Sequence, residues 1–362
     1  MPRAHTSSAH LSPRCPPPPL SAARRRGNPL LDISADVGQD LLDKYGLKLN
    51  NAILAEAAHL PLYAELVAKY PVQYIAGGAT QNSIRVAQWM HGGAGFAAYA
   101  GCVGSDAFGE QLRAAATADG VAVHYDVAPG AVPTGTCAVL VHATERSLVA
   151  NLAAAEKYSK ERHFDSAAFQ AVVARADTIY SAGFFLTHAV ETAKACGAAQ
   201  VAAGKSFALN LAAPFLCQFF GAQLAAVLPL ADLVFGNESE AAAYAAANGL
   251  GEGASVEATA RAIAALPHAG GRARTVIITQ GSASTVAVTS GGGAALVVPV
   301  APIDGAIVDT NGAGDAFVGG FLAWRAKGAD LEAAIKAGHW AAGHVITRSG
   351  CTFERSLRYT PA

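Results

Sequence analysis

The chain has 362 residues, a formal net charge of −1, 52% hydrophobic residues and 15% charged residues. This balance supports a large buried core and excludes a disordered chain, and without a basic excess it argues against a nucleic-acid partner. No apolar run reaches the roughly 18 residues of a membrane span.

The first 31 residues hold five arginines, seven prolines and no acid, the first carboxylate being Asp32. That composition suits an organelle transit peptide, a disordered tail or a misjoined first exon, although Pro16 to Pro19 oppose a helix there. Residues 1–26 are read as such a tail. Cysteines at 15, 102, 137, 196, 217 and 351 form no Cys-x-x-Cys pair and have no histidine at zinc-finger spacing. They read as free thiols of a reducing compartment. A cytoplasmic location follows, with organelle targeting by residues 1–26 as the alternative.

Residues 35–75 are mixed and irregular. From about residue 70 the pattern alternates helix-like and strand-like runs. The helix-like runs are 80–91, 107–118, 189–203, 238–248 and 256–266; the strand-like runs are 96–103, 121–125, 178–181, 207–211, 233–235 and 276–279. Such alternation predicts an α/β fold with a mainly parallel sheet and helices on both faces. Residues 136–142 and 147–152 read as strands with no covering helix, which predicts a small β-rich subdomain able to close over a substrate. The expected division is a large domain of residues 27–31, 79–130 and 156–362, and a lid of 32–78 and 131–155.

The most informative string is Asp309-Thr310-Asn311-Gly312-Ala313-Gly314-Asp315, a glycine-rich turn leading into a helix. Glycine lets a ligand approach the backbone, and the first amides of a helix form an anion site. A carboxylate in that turn makes sense if Asp315 takes a proton from a hydroxyl while the amides of Asn311, Gly312, Ala313 and Gly314 hold a transferring phosphoryl group. The bland alternative is a helix-cap aspartate in an ordinary loop. The string has neither the Gly-Lys-[Ser/Thr] ending of a P-loop nor the dinucleotide fingerprint.

This string resembles the C-terminal signature of the ribokinase-like (PfkB) sugar and nucleoside kinases. Gly77-Gly78-Ala79-Thr80-Gln81-Asn82 resembles a second family signature, and Asn237-Glu238-Ser239-Glu240 a third, which organises magnesium. Longer stretches resemble the nucleoside-phosphorylating members, among them Gly27-Asn28-Pro29-Leu30-Leu31-Asp32, Pro133-Thr134-Gly135-Thr136-Cys137 and Ala182-Gly183-Phe184-Phe185. The resemblance runs from about Gly27 to Phe353. It implies ATP as donor, adenosine as acceptor, Mg²⁺ with the ATP, and a monomer with no nucleic-acid or membrane partner.

Residue by residue, the resemblance implies that Asp32 holds the ribose hydroxyls with Gly77, Gly78 and Asn82. Asn28 would touch the adenine end, and Cys137, Leu152 and Phe184 would wall the purine. Arg146, Asn237, Thr279, Gly281 and His339 would lie at the ATP, and Glu240 and Asn237 would organise the metal through water. Two departures stand out. Where the family has a hydrophobic strand before Gly27, this chain has prolines and arginines, so a central strand is expected to be missing. Ala52 stands where the family carries a glutamine against the purine. A sugar kinase and a non-catalytic binding protein remain rival readings; a dinucleotide-dependent oxidoreductase would need the fingerprint that is absent.

Overall fold

The computed structural model describes residues 22–49, 51–142, 145–251 and 253–361, with only the backbone described for 22–26. The reading of residues 1–21 as a tail lies outside the described residues. Among the described residues fourteen strands form two sheets.

In chain order the strands are β1 (Ala22–Arg26), β2 (Leu30–Asp36), β3 (Ala52–Leu54), β4 (Gln73–Gly77), β5 (Ala97–Val103), β6 (Ala122–Val127) and β7 (Thr136–His142). There follow β8 (Glu145–Asn151), β9 (Ala176–Ala182), β10 (Ser206–Asn210), β11 (Leu233–Asn237), β12 (Thr275–Gln280), β13 (Ala283–Thr289) and β14 (Leu296–Val298). The large sheet runs β14-β13-β12-β11-β10-β9-β1-β5-β6. It is parallel from β12 to β6, and β13 and β14 are added antiparallel.

Helices cover both faces of this sheet. They are α3 (Ala79–His91), α4 (Ala107–Ala118), α5 (Ala167–Ala174), α6 (Leu186–Ala202), α7 (Pro214–Phe219), α8 (Gly221–Val227), α9 (Glu238–Ala247), α10 (Val256–Ala265), α11 (Ala313–Ala326) and α12 (Leu331–Ile346); α1 (Gln39–Lys44) and α2 (Leu60–Lys69) precede them. Alanine-rich sequences give these helices high intrinsic propensity, and side-chain caps fix several starts: Asp106 accepts from Gly109, Ser255 from Ala258 and Asp330 from Ala333. One core packs Phe207, Leu209, Val234 and Ile278 with residues of α6, α9 and α10. The opposite face packs Tyr180, Phe235 and Ile277 against Phe317 and Phe321 of α11.

The structure corrects two expectations. Backbone of Ala22–Arg26 occupies the central place between β9 and β5, with Arg24 paired to Ile179 and Ala98. The segment assigned to a tail thus supplies the strand that seemed missing. Ladder hydrogen bonds come from the backbone, so a run without hydrophobic residues can still make them. The other correction concerns the small sheet, ordered β3-β8-β7-β2-β4. Its strands are covered on one side after all, by α1 and α2 from the segment read as irregular. Leu41, Leu42, Leu62 and Leu66 bury their side chains against Ala138, Leu140 and Val149. These short helices escaped notice because each offers only two buried residues.

Candidate active site

A cavity of about 470 Å³ lies where the small sheet faces the large one. Its floor collects the carboxyl ends of parallel strands: Asn28 follows β1, Phe184 follows β9, Ala212 follows β10, Asn237 ends β11 and Thr279 lies near the end of β12. Loops at these ends are where open α/β sheets bind ligands. Its roof is one face of the small sheet. Pairing aligns Asp32 with Cys137, Cys137 with Ala150 and Ala150 with Leu54, a row across four strands that all line the cavity. Strand alternation extends this face along β8 through Arg146, Leu148 and Ala150 to Leu152 just beyond it. Val149, between them, points into the opposite core.

The glycine-rich turn behaves as its sequence suggests. Gly312 caps α11 with φ 78°, and Asp315 lies in the first helical turn. A side chain at Gly312 would also meet Cys351, whose Cβ would lie 2.9 Å from the added carbon. Asp315 is half-buried and accepts a hydrogen bond from Asn82 Nδ2 at 3.1 Å. Desolvation pushes its carboxyl up to about 7, against the lowering effect of Asn82. Asn82 sits on α3, which begins after Gly78 at φ 91°. Any side chain at Gly78 would strike the Asn28 carbonyl, at 2.2 Å.

Two more carboxyl groups face the same space. Asp32 is buried and pushed up to about 8, first by desolvation, then by the charges of Asp315 and Asp309, with Arg85 acting in the opposite sense. Gly77 leaves room for it: a Cβ there would lie 2.2 Å from Asp32 Oδ1. Glu240 is buried and is pushed up to about 7, chiefly by desolvation. Glu240 and Asn237 form a reciprocal cap on α9: the Asn237 amide N–H donates to Glu240 Oε2 at 3.0 Å, and the Glu240 N–H donates to Asn237 Oδ1 at 2.8 Å. Perturbed carboxyl groups gathered in one cleft mark a functional site.

Of the residues singled out from sequence, Asn28, Asp32, Gly78, Asn82, Cys137, Arg146, Leu152, Phe184, Asn237, Glu240, Thr279, Asn311, Gly312, Gly314 and Asp315 line the cavity. Gly77 and Ala313 back the lining at Asp32 and at the start of α11. Gly281 lies beyond β12 at φ 55°, and neither it nor His339 is among the residues lining the cavity. The Nε2 of His339 is 2.7 Å from Thr285 Oγ1 on β13, and its ring packs 5.6 Å from Phe317. The ring is half-buried there. Sequence reading missed Leu54, Leu148 and Ala150, though the even spacing of 146, 148, 150 and 152 carried the signal. It also gave no role to Asp309, which is buried beneath the turn. Ala52 does line the cavity, on β3.

Residues 39–357 match the pfkB family carbohydrate kinases. The chain belongs to this family. Adenosine kinase 2 of Arabidopsis thaliana is 49% identical over 329 residues, covering 90% of this chain and 94% of the relative. Among solved structures, Anopheles gambiae adenosine kinase in complex with P1,P4-di(adenosine-5) tetraphosphate is 46% identical, with a TM-score of 0.86 and coverage of 91% and 96%. Schistosoma mansoni adenosine kinase in complex with adenosine and AMP is 36% identical, with a TM-score of 0.87 and coverage of 93% and 99%. The pfkB fold of this chain is therefore ribokinase-like, with mixed sheets and helices on both faces. Among the described residues no helix is long and apolar enough to cross a membrane.

Proposed function

We propose that this pfkB-family chain transfers the γ-phosphoryl group of ATP to the 5′-hydroxyl of adenosine, giving AMP and ADP, a purine-salvage reaction. The observation that carries this reading is the facing of Asp315 and the Gly312 turn toward a roof of Cys137, Ala150, Leu152 and Leu54. The turn handles phosphate, and an apolar roof of this kind suits a flat base better than a bare sugar.

Asp32 takes the ribose hydroxyls, with Gly78 keeping the backbone close, and Phe184 stacks on the base. Asp315 accepts the 5′-hydroxyl proton as the oxygen attacks the γ-phosphorus; the bond to the β,γ-bridging oxygen breaks and ADP leaves. Asn82 holds the Asp315 carboxylate by one oxygen, leaving the other for the hydroxyl. Amides of residues 311–314 receive the charge on the phosphoryl oxygens. The acid limb of turnover therefore follows Asp315, rising with pH through about 7.

Mg²⁺ bound with ATP would supply charge neutralisation. Among the described residues no group of three or more His, Cys, Asp or Glu side chains is placed to hold a metal, while Glu240 offers a carboxylate at the cavity wall. That donor set fits an ion that keeps much of its hydration shell, which Glu240 and Asn237 would hold through water. The protein works as a monomer.

The test is ADP formation from Mg·ATP with adenosine, guanosine, fructose, ribose or no acceptor. Adenosine alone should give a strong signal. A signal with a sugar instead would retain Asp315 and overturn the purine roof.

A further inference from the structure

The wall that carries Asp32 has a buried cation behind it. Arg85 lies on α3, one turn beyond Asn82, and is 7% exposed. Its Nη1 donates to the Ala76 carbonyl at 3.2 Å and to the Cys351 carbonyl at 3.3 Å. The guanidinium also stands over the Phe353 ring, 5.6 Å from its centre. Ala76 belongs to β4 and pairs with Leu31 of β2, the neighbour of Asp32. The next residue, Gly77, packs directly on the Asp32 carboxyl. One guanidinium thus holds the strand end against which the Asp32 side chain rests.

The charge on Arg85 is only partly cancelled. Its Nε donates to Asp119 Oδ2 at 2.6 Å, at the end of α4. The Asp119 side chain is buried as well, yet its other oxygen accepts from Arg355 at 2.7 Å. Two guanidiniums share one carboxylate, so the group keeps a net positive charge, with Arg355 in water and Arg85 inside. Water screens the outer charge and leaves the inner one to act. Asp32 lies within reach of that inner charge. Burial, Asp315 and Asp309 oppose ionisation of Asp32, and Arg85 favours it; the thiols of Cys137 and Cys351 face the same carboxyl. An ionised carboxyl offers both oxygens as acceptors to a ribose diol, whereas a protonated one turns one of them into a donor.

We propose that Arg85 is a positioning residue for the acceptor site: it pins the Ala76 carbonyl behind Asp32 and supplies the buried positive charge that lets this carboxylate take the ribose hydroxyls. The role falls on nucleoside binding rather than on phosphoryl transfer. The proposal rests on the kinase reading above, and wild-type turnover with adenosine tests that reading separately.

Adenosine binding to the full chain, measured by calorimetry without nucleotide over a pH series, tests this. Wild-type affinity should rise with pH through about 8, as Asp32 ionises. Arg85→Met should move that rise about one pH unit upward and weaken binding about tenfold at about pH 8, while kcat at saturating adenosine stays within about threefold. Arg85→Lys keeps the charge and should leave the rise in place. In Asp32→Asn the rise should vanish, and adding Arg85→Met should then change affinity less than about twofold. If Arg85→Met does not fold, Arg85→Met combined with Asp119→Asn removes both members of the buried pair, an exchange that proteins tolerate better, and the same upward move is expected. A rise that stays near pH 8 in these neutral variants would overturn the proposal. So would an undiminished loss from Arg85→Met in the Asp32→Asn background, or a rise that Arg85→Lys moves as far as Arg85→Met does.

Discussion

The two sheets contribute different things to one cavity. From the carboxyl ends of the large sheet, and from α11 beside it, come Asn237, Glu240, Thr279, Asn311 and Asp315, all polar. From the small sheet come Leu54, Cys137, Leu148 and Ala150, which offer shape, with Asp32 and Arg146 as the polar exceptions. The large sheet packs extensive cores on both faces; the small sheet packs one core on its outer side and a smaller cluster, with Cys137, Val139 and Leu152, on its inner side. On the proposed reading, the chemistry falls to the large sheet and the fit to the substrate to the small one. The Arg146–Asp309 ion pair is one contact between them.

The sharpest way to break this division is Asp315→Asn. Turnover should fall by about 10³-fold or more, while adenosine binding measured by calorimetry stays within a fewfold of wild type. Turnover within tenfold of wild type would remove the base from the large sheet's share of the work.

Next in size is a pure stability change in the large domain. Arg274 is fully buried and donates to the carbonyls of Ala231, Ile263, Leu266, Leu228 and Pro267. Arg274→Met strands those acceptors and should cost about 3 kcal/mol or more in urea unfolding. A loss below about 1 kcal/mol would show that the clamp is dispensable.

A smaller effect is expected at the roof. Asp32 binds its proton in the folded state up to about pH 8, whereas an unfolded aspartate releases it near 3.9. Between those values the unfolded state binds fewer protons, so this group lowers stability as pH rises. Asp32→Asn should therefore raise the melting temperature of the ligand-free protein, by more at pH 8 than at pH 5, while weakening adenosine binding. An equal gain at both pH values would contradict the burial of the carboxyl.

The mildest test concerns Ala212, at the cavity with φ 70°. Glycine adopts that conformation without strain, so Ala212→Gly should stabilise the protein by about 0.5–1 kcal/mol. A destabilised variant would show that the backbone there is not strained.

Legibility in the sequence followed the same division. The phosphate turn was readable because its parts are consecutive: Asn311 to Asp315 need only a turn and a helix start to act together. Helices such as α4 and α9 were readable as helix-like, largely alanine-rich runs between strand-like ones. The roof was harder, since Asp32, Cys137, Ala150 and Leu54 become neighbours only through strand register over more than a hundred residues. β1 was missed because its pairing is a backbone property that prolines and arginines nearby conceal. Asp309 was quoted within the motif, yet its contacts with Arg146 and Gly350 join residues that no spacing connects.

The central claim is phosphoryl transfer from ATP to the 5′-hydroxyl of adenosine. Its most direct test compares adenosine with 5′-deoxyadenosine, which lacks only that hydroxyl, while ADP and AMP are quantified from Mg·ATP. One AMP per ADP with adenosine, and no ADP above background with 5′-deoxyadenosine, is the result expected. Equal ADP from both nucleosides, or none from adenosine with folded protein, would contradict the account.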